Sequence, residues 1–174
     1  MIKIGDIPKD CIRTNTGMIV NVFKPKANMI SIHDIAHALS QQPRFGGHLN
    51  RFYSVAQHCV LSANKATLYN KMGALLHDGS EAYLLDMPTP IKRKLPDYKE
   101  VEHKLMGVIS KKYGFDYPLN PAIKNIDREM LLIEWNNMVA KDNPDFACWT
   151  HTKAKKEFLK AYYQIKEELA IVYI

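Results

Sequence analysis

Long apolar runs are missing from this chain: nowhere do about 18 apolar residues follow one another, so the sequence holds no candidate transmembrane helix. Its first ten residues, M-I-K-I-G-D-I-P-K-D, lack the apolar centre of a secretory signal. These absences predict a cytoplasmic protein with no membrane partner, in a bacterial cell or, if phage-encoded, in the infected host. Cysteine is scarce as well. Cys11, Cys59 and Cys148 are three in number, far apart and without a C-x-x-C, which indicates neither a disulfide framework nor a cysteine zinc site. Glycine and proline, at 8 and 9 residues, are scattered, with no low-complexity tract or internal repeat. A continuous basic stripe is also lacking. The net charge is +6, but the basic residues fall in short groups at Arg44 to Arg51, Ile91 to Lys94 and Lys153 to Lys156. That argues for a small anionic ligand and against a long nucleic acid.

What remains is a chain of 174 residues, 47% of them hydrophobic, enough for a single domain with a sizeable core. Residues 1–30 alternate weakly, and Met18 to Phe23 reads as a strand or half of a hairpin. From residue 31 onward the helical period takes over. Ser31 is placed to cap I-H-D-I-A-H-A-L-S, and Pro43 with Gly46-Gly47 breaks the chain after it. Further helices are predicted from about Tyr53 to Ala66, Lys71 to His77, Asp97 to Tyr113, Asn120-Pro121 to about Ala140, and Thr152 to Val172. The predicted fold is mainly α: a single compact helical bundle over 31–174, with an N-terminal extended or hairpin segment over 1–30 packed on it. Trp135, Met138, Phe146 and Trp149 read as core. His33, His37, His103 and His151 read as structural or surface groups.

One stretch does not read as scaffold. In A-L-L-H-D-G-S-E-A-Y-L-L-D-M-P-T-P-I-K (Ala74 to Lys92), His77 and Asp78 stand side by side at the end of an apolar run. Glu81 and Asp86 follow within about two helical turns. Imidazole nitrogen and carboxylate oxygen together suit borderline divalent metals. Adjacent helical residues point about 100° apart, so an ion beside this turn needs ligands from other helices. His58, in Y-S-V-A-Q-H-C-V, and Asp127, in I-K-N-I-D-R-E-M-L-L, are framed by apolar residues. Taken singly, each reads as well as a core histidine or a surface acid.

The order His58, His77-Asp78, Asp127 resembles the H…HD…D pattern of the HD-domain metal-dependent phosphohydrolases. H-D-G-S-E-A-Y-L-L-D-M-P-T-P-I-K is similar to the corresponding segment of bacterial HD-domain 5′-deoxynucleotidases and of related phage deoxynucleoside triphosphate hydrolases. Arg44-Phe45, upstream of Y-S-V-A-Q-H, resembles that family's Arg-aromatic pair. D-I-A-H-A-L-S and R-F-G-G-H are closest to small bacterial and phage HD proteins, and the interval from His58 to His77 is shorter than in the deoxynucleotidases.

The resemblance implies a helical HD domain and a divalent ion (Co, Mn, Zn, Fe, Ni or Mg) held by His58, His77, Asp78 and Asp127. One ion is expected, with a second left open. It further implies that Glu81 orients the attacking water and that Asp86 assists proton transfer on the leaving-group side. Arg44 is the first candidate for a phosphate clamp, because guanidinium binds phosphate bidentately. His48 and Lys92 are further candidates, and Phe45 is either a base-stacking group or a core aromatic. The implied activity is hydrolysis of nucleoside 5′-monophosphates, deoxy forms first, to nucleoside and phosphate. The alternatives are release of tripolyphosphate from a deoxynucleoside triphosphate such as dATP, and a nucleotide-binding regulatory protein with weak hydrolysis. Relatives of this kind form homo-oligomers.

Overall fold

The computed structural model describes residues 8–172, so residues 1–7 of the expected N-terminal segment lie outside it. In the described part of that segment, β1 (Cys11–Arg13) pairs antiparallel with β2 (Ile19–Asn21), Ile12 opposite Val20. Gly17 turns the hairpin at φ 88°, where a side chain would be strained. Helix α1 (Ile32–Gln41) begins after Ser31, which occupies the cap position without a side-chain bond. Asp34, 3% exposed, ties the hairpin to α1. Its carboxylate accepts from Thr14 Oγ1 at 2.8 Å, Thr16 N at 2.8 Å and Thr16 Oγ1 at 2.6 Å. Asp34→Ala removes all three bonds and strands their donors, so a loss of about 2–3 kcal/mol is expected in urea unfolding. A loss under about 0.5 kcal/mol would show that the hairpin is held by its apolar contacts instead.

The bundle is built around α2 (Val55–Lys65), which begins at Ser54, whose Oγ accepts from Gln57 N at 3.1 Å. This helix touches α1, α3 (Leu68–Leu76), α7 (Pro121–Glu134) and α8 (His151–Val172). Enclosure on so many sides explains its weak amphipathic pattern: Val55, Ala56, Cys59 and Val60 are buried, and so are Gln57, His58 and Ser62. The sequence assigns either Ala56 or Val60 to the interior; the structure buries both. Buried polar groups need partners. Gln57 finds them in the loop before α8, donating to Ala147 O at 2.7 Å and accepting from Trp149 N at 2.8 Å.

Two short helices, α4 (Glu81–Leu84) and α5 (Thr89–Lys92), lead from α3 to α6 (Pro96–Tyr113). Gly114, left-handed at φ 74°, ends α6. Helix α7 starts as expected at Asn120-Pro121, with Asn120 Oδ1 accepting from Ala122 N at 2.9 Å. The expected continuation to Ala140 changes character, because Trp135–Val139 is a π-helical turn. Helix α8 covers α1, α2 and α3 with Phe158, Tyr162 and Ile165 buried along one face. Among the described residues, no helix is long and apolar enough to cross a membrane.

Candidate metal centre

Three helices and one turn bring the sequence-predicted ligands together. His58 projects from the middle of α2 and is fully buried. His77 and Asp78 follow the last residue of α3, and Asp127 stands on the second turn of α7. His58 Nε2 lies 3.1 Å from His77 Nε2 and 3.1 Å from Asp127 Oδ1. His77 Nε2 is 3.6 Å from Asp127 Oδ1 and 3.3 Å from Asp78 Oδ2, which is 3.9 Å from His58 Nε2. Ligand atoms around one ion at about 2.0–2.2 Å bond lengths sit roughly 3.0–3.5 Å apart, close to these separations.

The proton positions fit a cation as well as the distances do. His58 Nδ1 is 2.6 Å from a carboxylate oxygen of Glu134, and His77 Nδ1 is 2.7 Å from Ala74 O. Both partners only accept, so each Nδ1 carries its hydrogen, and a neutral ring then turns a bare lone pair inward at Nε2. Two imidazole lone pairs and an Asp127 oxygen thus face one another, with Asp78 Oδ2 beside His77 at 3.3 Å. Acceptors so arranged require a positive charge between them. Without an ion, a proton serves: burial lowers the His77 pKa, but Asp78 and Asp127 outweigh it and raise it to about 9. Asp127, despite its own partial burial, is held well below the usual carboxylate range by its bonds to His58 and His77.

Cys59, fully buried, brings its Sγ within 4.8 Å of donor atoms of His77 and Asp78 and so forms a second candidate group. Burial pushes its thiol pKa well above the ordinary value, with the Asp78 charge acting the same way. A protonated thiol is a poor ligand, so the set with His58 and Asp127 is the better cation site.

Glu134 is one residue of this centre that the sequence reading missed. Fully buried, it receives four donor contacts on two oxygens. Oε1 accepts from His58 Nδ1 at 2.6 Å and Tyr53 OH at 2.9 Å. Oε2 lies 3.0 Å from both Nε and a terminal nitrogen of Arg44. Burial alone would raise the Glu134 pKa; the His58 hydrogen bond, the Arg44 charge and Tyr53 lower it overall. The only sequence signal was its place seven residues after Asp127, two turns along the same face of α7. Outer carboxylates of this kind orient metal-binding histidines and fix their tautomer.

Beside the centre opens a cleft of about 650 Å³, lined among others by Arg44, Phe45, Asp78, Glu81, Asp86, Lys92, Asp127 and Trp135. The two expected catalytic carboxylates face it together. Glu81, 5% exposed, has Lys92 Nζ 3.3 Å from Oε1, and its Oε2 is buried with no protein partner. Burial, then the Asp78 and Asp86 charges, pushes its pKa well up. Asp86 is also raised, burial being the main cause. A second missed residue positions this pair: Gln42 donates to Glu81 O at 2.9 Å and accepts from Asp86 N at 3.1 Å. Between them Leu85 adopts φ 72°, a strained conformation for a branched residue, stitched by Leu85 N to Glu81 O at 2.8 Å and by Tyr98 OH to Leu85 O at 2.8 Å.

Two substrate-side expectations and one core expectation change. Arg44 lines the cleft, but its fork is engaged by Glu134, leaving one terminal nitrogen 3.7 Å from Asp78; it braces the centre and is not a free bidentate clamp. His48 is exposed and stands outside the cleft wall, because the turn through Gly46 (φ 61°) and Gly47 (φ 78°) carries it away. Trp135, read from sequence as core, is 50% exposed on the cleft wall. With Asp127 and Glu134 facing the centre, the next residue on α7 points about 100° away. Met138 is buried, whereas Phe146 and Trp149 are half-buried. Phe45 lines the cleft with its ring centroid 6.3 Å from that of Trp135. Lys92 lies at the cleft floor, its ammonium 2.6 Å from Glu102 and 3.3 Å from Glu81. Other histidines stay apart: His33, His103 and His151 are exposed, and His37 is half-buried beside Lys155.

No family model matches the chain. Two relatives do. The chain is 42% identical over 131 residues to the Escherichia coli K12 protein YfdR, described as uncharacterized, covering 75% of this chain and 74% of that protein. It is 31% identical over 129 residues to an uncharacterized protein of Rhodobacter capsulatus, covering 66% of each.

Proposed function

The chain belongs to the family of Escherichia coli YfdR, and from that premise and the geometry of its cleft we propose that it is a divalent-metal-dependent phosphohydrolase acting on nucleoside 5′-monophosphates. The observation that carries this reading is the convergence of His58, His77 and Asp127, with Asp78 beside His77 and both imidazole tautomers fixed from behind. When bound, the ion supplies Lewis acidity to a phosphoryl oxygen and lowers the pKa of water. Mixed nitrogen and oxygen ligands admit Mn²⁺, Co²⁺, Zn²⁺, Fe²⁺ or Ni²⁺, and one ion accounts for the ligands present.

The chain's own residues divide the remaining work. Glu81 Oε2, buried without a partner, accepts a hydrogen bond from the attacking water and takes its proton. Asp86, whose pKa burial raises, stands on the leaving-group side to pass a proton to the ester oxygen. Lys92 offsets part of the upward shift that burial and the neighbouring acids give Glu81, and turns an ammonium hydrogen toward the phosphate. Charge favours a monophosphate over a triphosphate tail. Asp78, Glu81, Asp86 and Asp127 line the cleft against only Arg44 and Lys92, and both cations already have carboxylate partners. Even with a divalent ion, the set holds no spare cation for three phosphates. Deoxynucleotide preference rests on the resemblance of H-D-G-S-E-A-Y-L-L-D-M-P-T-P-I-K to the deoxynucleotidases.

Incubation with Mn²⁺ or Co²⁺ and a panel of deoxy- and ribonucleotides, followed by ion chromatography, is expected to yield inorganic phosphate from monophosphates. Tripolyphosphate from a deoxynucleoside triphosphate would select the runner-up activity. Bound metal with no phosphate product from any nucleotide would remove both and leave a binding protein. Glu81→Ala is expected to lower kcat by about 10²- to 10⁴-fold while Mn²⁺ affinity in calorimetry stays near that of the parent. Turnover within about threefold of the parent would refute the role given to Glu81.

A further inference from the structure

A phosphate held at the metal centre occupies only the polar end of the cleft of about 650 Å³. The other end is walled by Phe45, Pro88, Pro90, Leu131, Leu132 and Trp135. Leu132 and Trp135 are 62% and 50% exposed there, although they follow a stretch of α7 that packs inward. Two local features aim the aromatics. Phe45 sits at φ 55°, a conformation that costs a non-glycine residue energy, and its ring leans at 50° toward the indole. Trp135 opens the π-helical turn that interrupts α7, a distortion concentrated at functional sites.

The chemistry of this wall restricts its occupant. A second sugar or a peptide would need hydrogen-bond partners, and leucine, proline and phenylalanine side chains supply none. A flat ring with an unsatisfied π face suits an exposed indole continuous with a phosphate site. The geometry points to Trp135 as a stacking platform for the base of the nucleotide, with Phe45 bracing the platform's edge. The position of the phosphate rests on the phosphohydrolase reading; the platform itself rests on α7.

The chain has two tryptophans, so Trp149→Phe leaves Trp135 as the single reporter. In that variant, with EDTA present, dGMP is expected to quench the emission of Trp135 and deoxyribose 5-phosphate to leave it unchanged. With Mn²⁺, Trp135→Ala is expected to raise KM for dGMP by about 5- to 100-fold with little change in kcat. The same variant should hydrolyse deoxyribose 5-phosphate like the parent, and Trp135→Phe should retain most of the affinity for dGMP. Equal losses on the two esters, no loss on either, or a changed oligomeric state in size exclusion with no base-dependent loss would overturn the platform. Quenching by dGMP without turnover of any phosphate ester would leave the platform standing and remove the hydrolase reading. Turnover of dGMP that Trp135→Ala does not alter would do the reverse.

Discussion

Replacing Glu134 with glutamine is expected to lower affinity for Mn²⁺ by about 10- to 100-fold. It should also destabilise the metal-free protein by about 3 kcal/mol. The two losses have one cause. His58 Nδ1, Tyr53 OH and two nitrogens of Arg44 converge on this carboxylate in a fully buried place. An amide keeps the shape, but its NH₂ must face some of those donors, and Arg44 becomes a buried charge without its counter-ion. His58 also loses the acceptor that holds its hydrogen on Nδ1, so Nε2 no longer always presents a lone pair to the ion. Titration calorimetry reads the first loss and urea unfolding the second. Tyr53→Phe removes a single donor and serves as the mild comparison. Tight Mn²⁺ binding by Glu134→Gln would show that His58 is oriented by packing alone. The pH dependence has a definite sign. Because the folded pKa of Glu134 is depressed, its contribution is complete above the ordinary value of 4.5 and is lost as pH falls through the lower folded value. The variant should therefore lose less stability than the parent on acidification below that point.

Asp127→Asn is expected to abolish metal binding at micromolar Mn²⁺, a larger effect than the roughly 100-fold cost of losing an outer partner. The substitution keeps an oxygen in place and removes the charge that offsets the ion. Its fold should persist, since the Asp127 side chain is 45% exposed and α7 is anchored elsewhere by Ile123 and Met130. The clearest measurement is the rise in Tm that Mn²⁺ gives the parent through binding to the native state. That rise, and phosphate release, should both vanish in Asp127→Asn, with the metal-free Tm lowered because His77 loses a counter-charge but the fold retained. A preserved Mn²⁺-dependent rise would mean that the ion sits on Cys59, His77 and Asp78 instead.

How much of this was legible depended on the distance over which each residue acts. Asn120-Pro121 bounds its helix through contacts a few residues away, and the sequence displays such a signal directly. The inward face of α2 was only half legible, because α1, α3, α7 and α8 enclose it and polar residues are buried there too. His77-Asp78 stood out by adjacency. His58 and Asp127 looked ordinary in their own helices and gained meaning from their order along the chain, which resembles a known pattern. Glu134 and Gln42 escaped because their partners lie far off: Glu134 meets His58 across 76 residues and Arg44 across 90. Trp135 was misassigned for a related reason. Leu131, Leu132 and Ile133 precede it and Met138 follows, and nothing local reveals that the face of α7 beside Glu134 fronts a cleft.

The seven-residue interval from Asp127 to Glu134 also governs how the gene can change length. One codon inserted there would swing Glu134 about 100° around α7, off His58 and into the neighbouring packing, while Asp127 stayed in place. A deletion would swing it as far the other way. The same insertion between Gly114 and Asn120 would be taken up by a loop that touches no ligand. Length variation in homologous genes should therefore collect before Asn120 and be absent between these two acids, a pattern that can be read from nucleotide sequences alone.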